Sequence, residues 1–310
     1  MTGEPTRDCR IVAVLVAYRP EPELFAKVLA AIDDQVAAAI VVDNGNGAGL
    51  EQIAFDERLE RIDMHGNAGV AAAQNAGIRR ALSAGATHVL ILDHDSVSAF
   101  GMTDKLLRAT HDLEASGERV AAVGADYHDP RHPDSSPFVV MRPWGFGRVV
   151  SPTQADAVAV PFLISAGSLI GADALTDVGL MEERLFIDYI DIEWCLRARG
   201  KGWTCHGVPG ARLEHRLGDA VLACGSSGRP VRIFGRTFSS RSPLRHYYMF
   251  RNGCWLVLHS ALPLRWKLLE TKRLVACFGV IAMFATQRRQ QVRAMAKGVV
   301  HGIRGCLGPA

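Results

Sequence analysis

The chain has no Cys-x-x-Cys pair, no internal repeat and no low-complexity tract. Its seven cysteines, Cys9, Cys195, Cys205, Cys224, Cys254, Cys277 and Cys306, are odd in number and scattered. That suggests neither a disulfide framework nor a structural zinc site, and a reducing, cytoplasmic location is expected. The first eight residues are polar and lack the apolar core of a secretory signal. No apolar run is long enough to span a bilayer; the longest, 274–286, is short and is followed by Arg288 and Arg289. No Gly-x-Gly-x-x-Gly follows the first apolar strand, and Gly45, Gly47 and Gly49 have the wrong spacing, which argues against a nicotinamide-dependent enzyme.

Acidic residues are nearly missing from one region. Residues 232–310 hold 14 Lys and Arg against one acid, Glu270, a balance of +13, whereas residues 1–231 carry −10. Trp255, Trp266, Phe278 and Phe284 are interleaved with that charge. Two readings stay open: docking on an anionic membrane surface, or a solvated helix-rich region. No nucleic-acid reader motif accompanies the charge, so nucleic acid is not an expected partner. The expected division is a catalytic α/β domain over 1–231 and a basic, helix-rich segment over 232–310.

What is present is an alternation of apolar runs and helical periods. Across 310 residues, 48% are hydrophobic, enough for a substantial core. Strands are predicted at 11–17, 38–42, near 61–64, over the run 88–96, and at 120–124 and 162–170. Helical spacing occupies 23–35, 70–83, 100–117, 191–199 and much of 243–304. Residues 126–160 show little regular periodicity, and Gly225-Ser226-Ser227-Gly228 reads as a mobile loop. Alternating strands and helices predict a mostly parallel sheet with right-handed crossovers.

Three of these strands end in polar groups: Tyr18, Asp43-Asn44 and Asp93-His94-Asp95. In a parallel sheet those ends share one edge, where open α/β sheets bind ligands. Residues i and i+2 of an extended segment point the same way. Asp93 and Asp95 are therefore expected to aim two hard carboxylates together, suiting Mg²⁺ or Mn²⁺. Asp43 can accept hydrogen bonds from a base or a ribose. Asn67-Ala68-Gly69 precedes a helix whose free N–H groups favour phosphate. Asp191, where a loop enters a helix, is a candidate general base, and Glu193 follows in the same turn. His215, after another apolar strand, is a candidate third metal ligand.

The ordered set resembles the inverting glycosyltransferases of family 2, and more narrowly their bacterial rhamnosyltransferase branch. It comprises Val-Ala-Tyr-Arg-Pro (16–20), Val-Val-Asp-Asn-Gly (41–45), residues 67–77, Leu-Ile-Leu-Asp-His-Asp-Ser (90–96), 162–170, 185–198, 213–219 and 242–252, and so covers roughly 10–255. The resemblance implies a GT-A fold with a nucleotide-diphosphate-sugar donor, dTDP-L-rhamnose, and a divalent metal. It further implies a glycan or lipid-linked acceptor in cell-surface polysaccharide assembly, at the cytoplasmic membrane face. Carried over, Tyr18, Asp43, Asn67, Gly69 and Asp93 contact the donor; Asp93, Asp95 and His215 hold the metal; Asp191 is the catalytic base. Ser165, Gly167, Ser168, Glu193 and Trp194 wall the sugar and acceptor region. Ile190 stands where many members place Glu, and Arg19 where Asn is common. A UDP- or GDP-hexose donor, and a catalytically silent sugar-nucleotide-binding protein, are the competing readings.

Overall fold

The computed structural model describes residues 9–129, 138–149, 157–215, 221–222, 232–233, 236–237, 239–285 and 287–310. The predicted Gly225–Gly228 loop, position 231 of the expected domain boundary and the 216–219 end of one motif lie outside them. The chain divides into two compact units: one formed by 1–142, 146–183 and 190–216, the other by 143–145, 184–189 and 217–310.

In the first unit, β1 (Ile11–Ala17) and β2 (Ala38–Asp43) flank α1 (Pro22–Ile32); β3 (Leu59–Asp63), α2 (Val70–Ser83), β4 (His88–Asp93) and β5 (Ser96–Ser98) follow. Next come α3 (Met102–Ala115), β6 (Val120–His128), the hairpin strands β7 (Phe138–Arg142) and β8 (Gly145–Val149), and β9 (Val158–Val160). The unit closes with β10 (Ser168–Gly171), α4 (Ala172–Val178), α5 (Ile190–Gly200) and β11 (Thr204–His215). One nine-stranded sheet runs β3-β2-β1-β4-β10-β6-β11-β5, with β9 also on β11. β3, β2, β1 and β4 are mutually parallel, as are β6 and β11, while β10, β5 and β9 run against their neighbours. All seven β1 residues are buried, as expected of a strand covered on both faces.

The strand order reverses between β1 and β4, the place where such sheets open a crevice. Register fixes what lines that edge: Ala17 pairs with Asp43 and Val16 with Asp93, so Tyr18, Asp43 and Asp93 end level with one another. α2 closes on the sheet at Gly77, where a Cβ would stand 2.3 Å from Val14 Cγ1.

Two local expectations are corrected. Asp93 and Asp95 are not on one extended segment: β4 stops at Asp93, and His94-Asp95 form a tight turn into β5. The 162–170 strand shrinks to Ser168–Gly171, because Ser168 N–H bonds back to Ser165 O at 3.0 Å around Gly167. Gly167 has φ 79°, which a side chain would resist. Regular structure also extends into 126–160, where β6 runs on to His128 and the β7–β8 hairpin forms.

In the second unit, α6 (Pro243–His259), α7 (Leu264–Phe284) and α8 (Arg288–Arg304) pack on a core of Phe250, Leu274, Ile281, Ala285 and Met295. Ser242 caps α6 through its Oγ, which accepts from Arg245 N–H at 3.3 Å. Asn252 Nδ2 donates to the carbonyls of Leu185, Ile187 and Asp188 at 2.7–3.0 Å, holding a segment in which Phe186, Asp188 and Tyr189 all have positive φ. Among the described residues no helix is long and apolar enough to cross a membrane.

Candidate active site

The C-terminal edge of β1, β2 and β4 carries the first group of side chains. Tyr18 is 42% exposed, with the Arg19 guanidinium 5.6 Å from its ring centre. Arg19 adopts φ 49°, a left-handed conformation that Asn tolerates better than Arg.

Asp43 is not the open acceptor expected. It is buried; Oδ1 accepts from Gly45 N–H at 2.9 Å and Oδ2 pairs with Arg61 at 2.6 Å. The group that reaches solvent at this position is Arg61, contributed by β3. Asn44, read from sequence only as part of a turn, fastens the next loop: its Oδ1 accepts from Ala68 N–H at 2.8 Å and its Nδ2 donates to Asn67 Oδ1 at 3.2 Å. Asn67 Oδ1 also takes Gly69 N–H at 3.0 Å, and Gly69 opens α2 with φ 91°. The first-turn N–H groups of α2 are thus presented behind an ordered loop.

β5 and β11 build the second group. His215 pairs in register with Ser96 across the sheet, which sets its ring beside the His94-Asp95 turn. His215 Nδ1 lies 3.3 Å from Asp95 Oδ1 and 3.0 Å from Ser96 Oγ, and Nε2 lies 3.9 Å from Asp93 Oδ2. Ser96 Oγ also accepts from Asp93 N–H at 3.3 Å, tying the turn closed. Burial alone would lower the His215 pKa; hydrogen bonding to Asp95 and the charges of Asp93, Asp95 and Asp129 outweigh it and raise it above 6.5. Burial pushes Asp95 up, but the His215 hydrogen bond and charge, with His94, bring it below 3.8.

Asp93, Asp95 and His215 each offer a ligand atom, all within 4.8 Å of one another. Two carboxylate oxygens and an imidazole nitrogen at that separation fit one divalent cation, with positions left for other ligands. Of the residues sequence reasoning missed, Ser96 had a signal, its place in the Asp-His-Asp-Ser run. Arg61 and the fully buried Asp129 had none.

Asp191 is in the first turn of α5. Its Oδ2 accepts from Ser165 N–H at 3.3 Å and its Oδ1 from Ile192 N–H at 2.8 Å. It lines a small cavity with Ile91, Ser165, Ser168, Trp194 and Cys195, so it lies against the strand that ends in Asp93. Tyr127 lies within electrostatic range of Asp191 and Asp129. Burial raises its phenol against the pull of Arg148, and the carboxylates of Asp191 and Asp129 add to the rise. Asp129 is the same carboxylate that acts on His215.

The expected wall is only partly realised. The Ser165–Gly167 turn abuts Asp191, and Gly167 is clamped by Ile91 O and Ala125 N–H. Ser168 is buried, its hydroxyl donating to Ile164 O at 2.5 Å. Glu193 is a correction, while Trp194 lines the Asp191 cavity from within the core. Glu193 is bound by Arg197 at 2.8 and 2.9 Å, and Trp194, 1% exposed, donates from Nε1 to Gly179 O at 2.7 Å. On a helix, two residues' step swings a side chain through ~200°, so Glu193 turns away from the side on which Asp191 lines its cavity, whereas Trp194, three residues on, shares that side. A larger cavity, ≈ 340 Å³, is elsewhere, at the opposite ends of β2 and β3 against Leu29, Asp33 and Arg58.

Comparisons with known proteins bear on the fold and the family. The chain is 29% identical over 306 residues to the dTDP-rhamnosyl transferase RfbF of Shigella flexneri, covering 96% of this chain and 97% of that one. Among solved structures, GalNAc-T7 with UDP, GalNAc and Mn²⁺ superposes with TM-score 0.57 at 12% identity, over 97% of this chain and 58% of that one. S. aureus TarS 1-349 in complex with UDP-GlcNAc gives TM-score 0.55 at 13% identity, over 93% of this chain and 80% of that one. These likenesses show the fold, the GT-A arrangement of a mixed, mostly parallel sheet flanked by helices. The family model described as glycosyl transferase family 2 matches residues 13–178, more than half of the chain, and the chain belongs to that family.

Proposed function

We propose that this glycosyltransferase moves L-rhamnose from dTDP-L-rhamnose onto a hydroxyl of a lipid-linked or polysaccharide acceptor, with inversion at the anomeric carbon. The observation that carries the donor assignment is the likeness to a dTDP-rhamnosyl transferase along almost the whole chain.

In this reading the donor lies along the β1–β2–β4 edge. Tyr18 and the Asp43–Arg61 pair flank the base and ribose, and the Asn67–Gly69 loop and α2 N-terminus face the diphosphate. Asp93, Asp95 and His215 hold Mg²⁺ or Mn²⁺, which when bound neutralises the departing nucleoside diphosphate. Asp191 takes the proton from the acceptor hydroxyl as its oxygen attacks the anomeric carbon. Two N–H groups fix its carboxylate, and the N-terminus of α5 favours its negative charge. The Ser165–Gly167 turn fixes where that carboxylate points, so positioning supplies much of the acceleration. The basic 232–310 segment brings the enzyme to the anionic membrane surface where a lipid-linked acceptor resides.

Calorimetric titration with dTDP-L-rhamnose, UDP-hexoses and GDP-hexoses tests the donor. The dTDP sugar is expected to bind about tenfold tighter or better, a difference of about 1.4 kcal/mol. Tighter binding of a UDP or GDP sugar would replace the donor while keeping the reaction class.

A further inference from the structure

We propose that one face of α7, together with the tip of the β7–β8 hairpin, is a docking surface for an anionic lipid bilayer. The surface belongs wholly to the second unit. It rests on the functional reading above only in supposing a lipid-linked acceptor.

Three of the four aromatics that marked the segment in sequence are turned inward. Trp266 is fully buried, Trp255 is half-buried, and Phe278 packs against the Phe250 core. The most exposed apolar groups of α7 are aliphatic, Leu264 at 70%, Leu268 at 63%, Val275 at 68% and Met283 at 59%; Phe284, at 40%, is turned off their face by the ~100° step per residue. The spacing of the four aliphatic groups returns every three or four residues or a multiple of it, so they form one stripe. That stripe lies opposite Trp266, Leu274 and Ile281, which face the core. Trp144, 85% exposed, stands beside the helix: Lys272 Nζ donates to its carbonyl at 2.9 Å. An indole next to an aliphatic stripe and a lysine is the combination that rests at a membrane interface.

Charge selects the occupant. The only side-chain acid of residues 232–310, Glu270, is 2% exposed and paired with Arg273 at 2.7 Å. The segment therefore offers solvent positive side-chain charge alone, including Arg265 and Lys272 on the α7 face. A second copy would set like charge against like in a two-fold contact. A nucleic acid would leave the stripe unburied. An anionic bilayer accepts both the charge and the apolar groups, with the helix lying on it and not across it.

Flotation of the full chain tests this, using vesicles of phosphatidylcholine alone and vesicles containing phosphatidylglycerol. Binding is expected only to the anionic vesicles. Val275→Glu and Leu268→Glu should each weaken it by about tenfold and Lys272→Gln by about fivefold. Trp144→Ala, at a site too exposed to threaten folding, should weaken it as well, and all four variants should keep dTDP affinity. No floating of the wild type, variants that float as the wild type does, or a wild-type dimer that Leu268→Glu splits would each overturn the proposal. The readout needs neither sugar donor nor acceptor, so its failure is separate from failure of the donor assignment.

Discussion

His215 Nδ1 lies 3.3 Å from Asp95 Oδ1, although 119 residues of sequence separate His215 from Ser96, its partner across the sheet. Without metal this is an ion pair in which each group sustains the other's charge. Were a divalent cation to take the site proposed above, the same atoms would become ligands and the imidazole would have to be neutral.

That exchange has a pH signature. The folded-state pKa of His215 lies above 6.5, so its pairing contributes stability that is complete below that value and is lost as pH rises through the raised one. The Asp95 pKa lies below 3.8, so its contribution is present above that value and lost as pH falls through the lowered one. In metal-free protein, His215→Gln should therefore cost more stability near about pH 6 than near about pH 8.5, read from urea midpoints. Stabilisation by Mn²⁺ should run the other way and grow with pH. Equal costs at the two pH values would remove the charged pair.

Asp191→Asn keeps the shape and the N–H contacts of the side chain but cannot take a proton. Transfer should fall by about 10²–10⁴-fold while dTDP-sugar affinity holds. Unchanged turnover would take Asp191 out of the mechanism; a silent binding protein would show no turnover in the wild type either.

Glu193 and Arg197 give a contrasting pair. Arg197 also donates to Val178 O at 2.5 Å and Leu180 O at 2.8 Å. Arg197→Met strands a largely buried carboxylate and two carbonyls, an expected loss of about 2–4 kcal/mol in denaturant unfolding. Donor affinity should be unaltered in the folded fraction. A shift in donor affinity with stability intact would return Glu193 to the site.

Gln74 is fully buried on α2, and among the described residues neither its Nε2 nor its Oε1 has a hydrogen-bond partner. Gln74→Met, of similar volume, should raise stability by about 1 kcal/mol. A destabilised Met variant would mean that the amide is satisfied in the working protein.

Much of this was legible in sequence, for a physical reason. Strands covered on both faces read as unbroken apolar runs, so Ile11–Ala17 was bounded correctly and the strand from His88 was recognised, though not its end at Asp93, and Val70–Ser83 carried a clear helical period. The polar residues that end such runs had to share an edge, which placed Tyr18, Asp43, Asp93 and Asp95 together. Long-range pairing was not legible. Nothing local says that Arg61 engages Asp43 or that Ser96 bonds the His215 ring. Nor could the sequence say which side of α7 faces out. Leu264, Leu268, Leu269, Leu274, Val275 and Ile281 surround that helix, so only the packing of α6 and α8 against it decides.

The most direct test is Mn²⁺ binding followed by electron paramagnetic resonance, with and without dTDP, in the wild type and in Asp95→Asn. Asp93, Asp95 and His215 should bind Mn²⁺ more tightly when dTDP is present, and Asp95→Asn should abolish that gain. Binding of dTDP with equal affinity in excess chelator, or a gain that survives Asp95→Asn, would contradict the account.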